Sequence, residues 1–377
     1  MVRSFLMLIF SNSILRSRLA GGCLLLLMAG QSWAVMAAET GFSALDTPAQ
    51  ISAQSAHKTL LSVARAGQRL VAVGEEGIIL LSDDNGKHWS QVASPVSAAL
   101  TEVQFVDPRH GWIVGHYGVV LATTDGGESW QKQLDGIQAA RLLLADVQVR
   151  SGDERELREA HRLVKDGPDK PFLNLHFSDA RNGFVFGAYN LIYRTRDGGQ
   201  SWQPWLNRVD NPMGLHLYGM AEADGVLMMA GEQGTLLRST DAGEHFEAID
   251  SPYEGSFFGV IAEPDGAFVV YGLRGHLFRS VDSGESWTQL DTREEVALSA
   301  ASMLADGRLL VVSQSGSLLV NQHDTGFTPV PDLPALPLAG VVESADGAAI
   351  VASLAGVHRF DLPGRIARDS ASGSRKE

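Results

Sequence analysis

The octapeptide TTDGGESW, Thr123 to Trp130, decides how this chain folds, because it recurs. SDDNGKHW starts at Ser82, TRDGGQSW at Thr195, STDAGEHF at Ser239 and SVDSGESW at Ser280. The shared pattern is Ser/Thr-x-Asp-x-Gly-x-x-aromatic, and a decayed sixth copy lies around Asn321 to Phe327. Successive starts are 41, 72, 44, 41 and 41 residues apart. Each copy has a mechanical reading. The aspartate (Asp84 or its neighbour Asp83, then Asp125, Asp197, Asp241 and Asp282) accepts hydrogen bonds from N–H groups of its own turn. The glycine takes the positive φ that the turn demands. The closing Trp89, Trp130, Trp202, Phe246 or Trp287 then folds back to bury a large ring.

A second element keeps step with the first. Before each octapeptide sits a four-residue turn: GEEG from Gly74, GHYG from Gly115, GAYN from Gly187, GEQG from Gly231 and GLRG from Gly272. The series continues with SQSG from Ser313 and SLAG from Ser353, which makes seven. Short apolar runs such as Leu70-Val71-Ala72-Val73 and Ile78-Ile79-Leu80-Leu81 flank each turn and read as hairpin strands. A unit of four strands every 40 residues or so is a propeller blade. The fold expected is therefore all-β, a seven-bladed β-propeller over residues 39–364. The seventh unit, Leu338 to Asp361, supplies three strands, and Gly41 to Gln54 is expected to contribute its missing edge strand.

The 72-residue interval exceeds the period by 31 residues, and the excess falls at residues 136–171. There Ile137, Ala140, Leu143, Leu144 and Val147, then Leu157, Ala160 and Val164, follow helical spacing, with Ser151 or Asp153 placed to cap the second helix. A helical hairpin on the connection between two blades is expected. That connection emerges on the face of the Gly-x-x-Gly turns, opposite the octapeptides, and the hairpin's apolar residues are candidate anchors for a partner.

Both ends differ from the repeats. Arg3, Arg16 and Arg18 precede an apolar Gly21 to Gly30 and small residues at Ala34, Ala37 and Ala38. This is the layout of a cleaved secretory signal over residues 1–38, with cleavage near Ala34–Ala38. The apolar run is shorter than the about 20 residues a spanning helix needs. An exported, periplasmic protein is expected. Those residues hold three of the 30 basic side chains and no acid, so 27 basic residues face 44 acidic ones in the remainder, a formal charge of −17. Phosphate backbones require clustered Lys and Arg, so nucleic acid is excluded as a partner, and a soluble monomer is the default. Cys23 is the only cysteine and lies in the leader. The polar stretch 365–377 reads as a disordered tail.

Chemistry is sparse. The chain has no GxSxG, Walker or HExxH motif, and its 11 histidines lack metal-ligand spacing. No cofactor and no metal are expected. The octapeptide also occurs in sialidases, but their Arg-Ile-Pro motif has no counterpart, Gly364-Arg365-Ile366-Ala367 being the nearest sequence. No pair of carboxylates is singled out for glycoside cleavage. The candidate binding residues are those of the turns around the funnel: Glu75, Glu76, His116, Tyr117, Tyr189, Glu232, Gln233 and Arg274. A protein-binding role is the reading carried forward. A glycan- or ligand-binding propeller and a sialidase-like hydrolase are the alternatives.

The longer repeat adds a resemblance. VQFVDPRHGWIVGHYGVVLATTDGGESW (Val103 to Trp130) and LHFSDARNGFVFGAYNLIYRTRDGGQSW (Leu175 to Trp202) share a strand, Asp, Gly-aromatic, turn, strand and Asp-Gly-Gly-x-Ser-Trp. Over about Leu60 to Phe360 the chain resembles the photosystem II stability/assembly factor family of cyanobacteria and chloroplasts. The acidic surface and the helical insertion place the likeness nearer to its proteobacterial, non-photosynthetic branch. The resemblance implies a seven-bladed propeller that is not an enzyme and that assists a membrane-protein complex. In that branch the implied partner is a resistance-nodulation-division-type transporter.

Overall fold

The computed structural model describes residues 43–321, 326–331, 333 and 335–362. The expected leader and its cleavage zone, the expected tail from 365 and the middle of the decayed sixth octapeptide lie outside the described residues.

Seven antiparallel sheets follow one another along the chain, six with four strands and the last with three. Each sheet is ordered as the sequence runs, so its first strand is innermost. The inner strands are Leu60–Ala66, Leu100–Phe105, Phe172–Phe177, Leu217–Ala223, Phe257–Ala262, Leu298–Met303 and Leu338–Glu343. Apolar side chains alternate along these strands and fill the space between neighbouring blades. Val71, Val73 and Leu81 of blade one pack with Leu100, Ile113 and Leu121 of blade two, for example. Leu60, Val63 and Leu70 of blade one meet Ile350 and Ala352 of blade seven in the same way, which closes the ring.

The octapeptides connect third and fourth strands, and the Gly-x-x-Gly turns connect second and third. The two motifs therefore occupy opposite ends of the third strand and opposite faces of the ring. In the second blade, Asp125 accepts hydrogen bonds from the Thr123 hydroxyl (2.7 Å), Ser129 N–H (3.0 Å) and the Ser129 hydroxyl (2.5 Å). Gly127 (φ 87°) bends the turn so that its carbonyl accepts from the Trp130 indole N–H at 3.0 Å. Asp197 and Asp282 repeat the arrangement with Ser201 and Ser286. Asp84 and Asp241 do so with His88 and His245, so Asp84 and not Asp83 is the first motif's acid. Trp130, Trp202 and Phe246 are buried, and Trp89 and Trp287 are half-buried.

Arginines latch blades together through the same motifs. Arg69 donates to the Gly126 carbonyl (3.1 Å), Arg194 to Ala242 (2.9 Å), Arg238 to Ser283 (3.1 Å) and Arg359 to Asn85 (2.9 Å). Each ties one blade to the octapeptide of the next. The octapeptide is thus an inter-blade fastener as well as a turn.

The edge strand expected from Gly41 to Gln54 does not form. Its described part carries a short helix, α1 (Ser43–Asp46), and lies along the connection between blades one and two. Ala49 N–H donates to Ser94 O, Ser97 N–H to Ala44 O and the Lys132 ammonium to Leu45 O. Leu45 is 2% exposed in the core between these blades. Burying that leucine outweighs strand pairing by a segment that contains Pro48, which has no N–H to donate. Among the described residues blade seven has three strands. Thr59 Oγ1 donates to Leu354 O, and Gly356 approaches Ala56 so closely that a Cβ would lie 2.1 Å from the Ala56 carbonyl oxygen.

The insertion is helical, as the spacing requires. Helix α2 (Gly136–Val149) is capped by Asp135, which accepts from Ile137 and Gln138 N–H. Helix α3 (Glu154–Asp166) starts with Asp153 and Glu156 in a reciprocal capping box, so Asp153 rather than Ser151 is its cap. The anchors proposed on this hairpin mostly face inward. Leu143, Val147 and Ala160 form a buried cluster with the half-buried Leu206 packed against it, and Ala140 is buried too, because the two helices have only each other and the outer part of blade three against which to hide an apolar stripe. The Tyr193 hydroxyl fastens α2 to that blade by donating to Ala139 O at 2.6 Å. Among its apolar side chains, Leu142, Val149 and Val164 remain exposed.

Candidate functional site: the turn face and its throat

In five of the seven turns the second variable residue has a left-handed backbone: Glu76 (φ 56°), Tyr117 (59°), Tyr189 (56°), Gln233 (53°) and Arg274 (57°). For a residue with a Cβ this costs on the order of 1 kcal/mol. The hairpin tolerates it because the backbone path is fixed by the flanking glycines, or in the Tyr189 turn by Gly187 and a left-handed Asn190 (φ 59°). The side chains themselves vary from blade to blade, so the turn does not select them. They are displayed. Glu75, Glu76, His116, Tyr189, Gln233 and Arg274 are exposed, and Tyr117 and Glu232 are half-buried.

The ring is not uniform. On blade one Glu76 pairs with Lys58 (2.5 Å). Partial desolvation pulls the pKa of the His116 imidazole down although the side chain is exposed at the rim, and the Glu75 charge opposes that without cancelling it. Tyr117 packs toward the core between blades one and two. On blades three and four the chain gathers Tyr189 and Glu232 around His216. The His216 Nδ1 lies 2.9 Å from Glu232 Oε2, its ring meets Tyr189 edge-on at 4.8 Å, and Lys170 stands over the far ring at 5.4 Å. Gln233 has its N–H held by Ser256 Oγ at 3.2 Å. Arg274 stands apart on blade five beside the exposed Leu273. The eight residues expected from the sequence are therefore on one face, but they form a scatter with one dense group rather than one pocket.

That dense group continues inward through residues the motifs did not reveal. His216 leads to Tyr218 (6.2 Å between rings), and Tyr218 meets Phe258 edge-on at 5.6 Å. Desolvation, then the Glu232 charge, pushes the Tyr218 phenol up to about 12. Tyr218 and Phe258 occupy equivalent positions in consecutive inner strands. In every blade the pairing between first and second strands slips at this one register. The residues skipped are Leu61, Thr101, Leu173, Tyr218, Phe258, Ser299 and Ala339, and all are half-exposed, each following a fully buried residue. A bulge re-aims its side chain. Repeated seven times, it makes a collar at the throat of the central channel.

Below the collar the channel opens into a cavity of about 270 Å³, bounded by Phe258, Ser299 and Ala339 above and by Glu102, Asn174 and Tyr271. Here side chains satisfy the free edges of the inner strands. Gln104 bonds both Phe177 N–H and O, Asn174 bonds Tyr218 O, and Ser299 bonds Leu338 O. Glu102 accepts from the Ser62 hydroxyl and from Val103 N–H. Its side chain is half-exposed to the channel but ringed by the inner strands, and desolvation raises its carboxyl to about 7 against those two hydrogen bonds. The Tyr271 hydroxyl occupies the space that a side chain on Gly259 would need. A second cavity of about 460 Å³, lined by Arg65, Phe105, Pro108, Met303 and Glu343, forms the mouth on the octapeptide side. Among the described residues, no three His, Asp or Glu side chains converge to hold a metal ion, and no helix is long and apolar enough to cross a membrane.

The sequence model of the family described as photosynthesis system II assembly factor YCF48 matches residues 87–155 and 154–324. Among solved structures, YCF48 bound to a D1 peptide is similar over 84% of this chain and 96% of its own, with 17% identity and a TM-score of 0.59. YCF48 from Cyanidioschyzon merolae is similar over 83% of this chain and 98% of its own, with 13% identity and a TM-score of 0.60. Virginiamycin B lyase from Staphylococcus aureus covers 84% of this chain and 98% of its own at 12% identity, with a TM-score of 0.64. Likenesses this remote carry the fold alone. No curated protein sequence matches.

Proposed function

Because the chain belongs to the photosynthesis system II assembly factor YCF48 family, we propose that it is a non-catalytic binding propeller that docks a segment of a membrane protein on its turn face. The observation that carries this is the set of five left-handed turn residues. Backbone strain is spent on displaying Glu76, Tyr117, Tyr189, Gln233 and Arg274, whose identities the fold does not require. Tyr189, with Lys170 over its ring and His216 against it edge-on, is the kind of rigid aromatic that anchors an interface. A relative of the same fold has been solved with a D1 peptide bound, which is in keeping with a peptide-docking role. The octapeptide face is occupied by fasteners and offers less to a partner.

Residues 1–38, which read as a secretory leader, support a periplasmic setting for this work. The likeness to the proteobacterial branch makes a resistance-nodulation-division-type transporter the partner we propose, with the propeller assisting its assembly or operation. Immobilised protein offered such a transporter in detergent should retain it. The double variant Tyr189→Ala/Gln233→Ala should weaken retention at least about tenfold with an unchanged Tm. Equal retention by the double variant would remove the turn face from consideration. Measurable hydrolysis of a sialoside, or lyase activity by the purified protein, would overturn the binding reading altogether.

A further inference from the structure

The throat is asymmetric, with aromatic rings on blades four and five, small residues on blades six and seven, and a carboxyl one step deeper on blade two. We propose that it receives a single lysine or arginine side chain projected by the docked segment, the aliphatic stem lying against Tyr218 and Phe258 and the charge meeting Glu102. This rests on the docking role of the turn face and names the chemistry that face selects.

The seven bulges are the first support. A regular inner strand would turn these side chains between blades, as it does Leu217 and Phe257, which are fully buried. The slip instead leaves Tyr218 and Phe258 half-exposed at the collar, above a cavity of about 270 Å³ that suits a side chain and not a folded element. Glu102 is the second. It accepts from one hydroxyl and one N–H, and among the described residues it forms no ion pair with a lysine or arginine. A carboxyl that burial holds near 7 is readily ionised by an arriving cation. Arg65 lines the same cavity, but its guanidinium is turned to the opposite mouth, donating to the Gly67 and Glu343 carbonyls. The rim is the third. Glu75 and Glu232 on the turns of blades one and four offer carboxylates to an arriving basic segment, while Arg274 and Lys170 stand elsewhere on the same face. The stem of a long basic side chain has apolar surface that packs on rings while its head reaches a charge.

The test is calorimetric titration with the peptide acetyl-Gly-Phe-Lys-Phe-Gly-amide and its norleucine and glutamate counterparts. The wild type should prefer lysine over norleucine by about tenfold or more and should bind the glutamate peptide most weakly. Glu102→Gln should erase the preference for lysine over norleucine, with far-UV circular dichroism unchanged. Phe258→Ala should weaken the lysine and norleucine peptides alike. Equal affinity of the wild type for those two peptides, a preference that survives Glu102→Gln, or binding of none of the three would overturn the proposal. Transporter retention is scored separately. Retention without lysine preference defeats the throat site and leaves docking standing, and loss of both defeats docking as well.

Discussion

Glu102→Gln should change stability in a way that depends on pH. The Glu102 carboxyl titrates at about 7 in the folded chain against an ordinary 4.5, because desolvation outweighs the hydrogen bonds from Ser62 and Val103. A raised carboxyl pKa means that the native state holds its proton more tightly than the unfolded chain does. Folding therefore loses stability as pH rises from about 4.5 to about 7, and the loss is complete above that. At about 1.4 kcal/mol per pH unit the whole shift amounts to about 3 kcal/mol. Part of the group faces the channel, where water would screen it, so about 2 kcal/mol is the working figure. Glutamine has the same shape, can accept from the same two donors and carries no charge. Variant and wild type should thus be similar near pH 4, with the variant ahead by about 2 kcal/mol near pH 8. For a propeller of this size that is a gain in Tm of roughly 3 °C. Differential scanning calorimetry and guanidinium unfolding at several pH values would measure it. A difference that stays flat from pH 4 to pH 8 would refute the reasoning, since it would mean that the carboxyl titrates as it does in water.

Other outcomes follow from the fasteners and the insertion. Trp130→Ala removes a buried ring whose indole N–H is bonded to Gly127 O, and should lower stability by about 3–5 kcal/mol in denaturant unfolding without a specific loss of partner retention. At Asp125 desolvation pushes upward, but the hydrogen bonds from Ser129 and Thr123 win and hold the carboxyl at about 2, below its ordinary 3.8. At Asp282 the Ser286 hydroxyl leads, with the same result. These groups stabilise the fold above about pH 4, and the contribution is lost as pH falls toward about 2; acid unfolding followed by tryptophan fluorescence should be shallower in Asp125→Asn and Asp282→Asn. Deleting Gln138 to Asp169 and bridging with Gly-Ser should leave a folded but less stable ring, because Tyr193 loses its acceptor at Ala139 O. Transporter retention should survive the deletion, and its loss would move the docking surface onto the hairpin.

The sequence alone determined the number of blades, the two faces and the helical insertion. Each of these follows from local chemistry repeated in register: an acid, a glycine and an aromatic at fixed offsets, a turn between two apolar runs, and a 3.6-residue period where the repeat is interrupted. It also put Glu76, Tyr117, Tyr189, Gln233 and Arg274 on one face, since a turn position is set by its neighbours in the chain. The tertiary structure alone decided what these residues touch. Tyr218 and Phe258 belong to inner strands, and a one-residue slip in strand pairing brings them to the throat, below His216, which just precedes the inner strand of blade four. Glu102 lies in a strand of blade two, and its unusual carboxyl exists because a ring of seven sheets closes around it. The helical spacing of Leu143, Val147 and Ala160 was plain, but whether that stripe would face a partner or the hairpin's own second helix was settled by packing. Leu45 likewise found a pocket between blades one and two, where Gly41 to Gln54 had been expected to run as an edge strand in blade seven. Local patterns fix which elements form. Burial and desolvation are sums over residues distant in the chain, and only the closed ring assembles them.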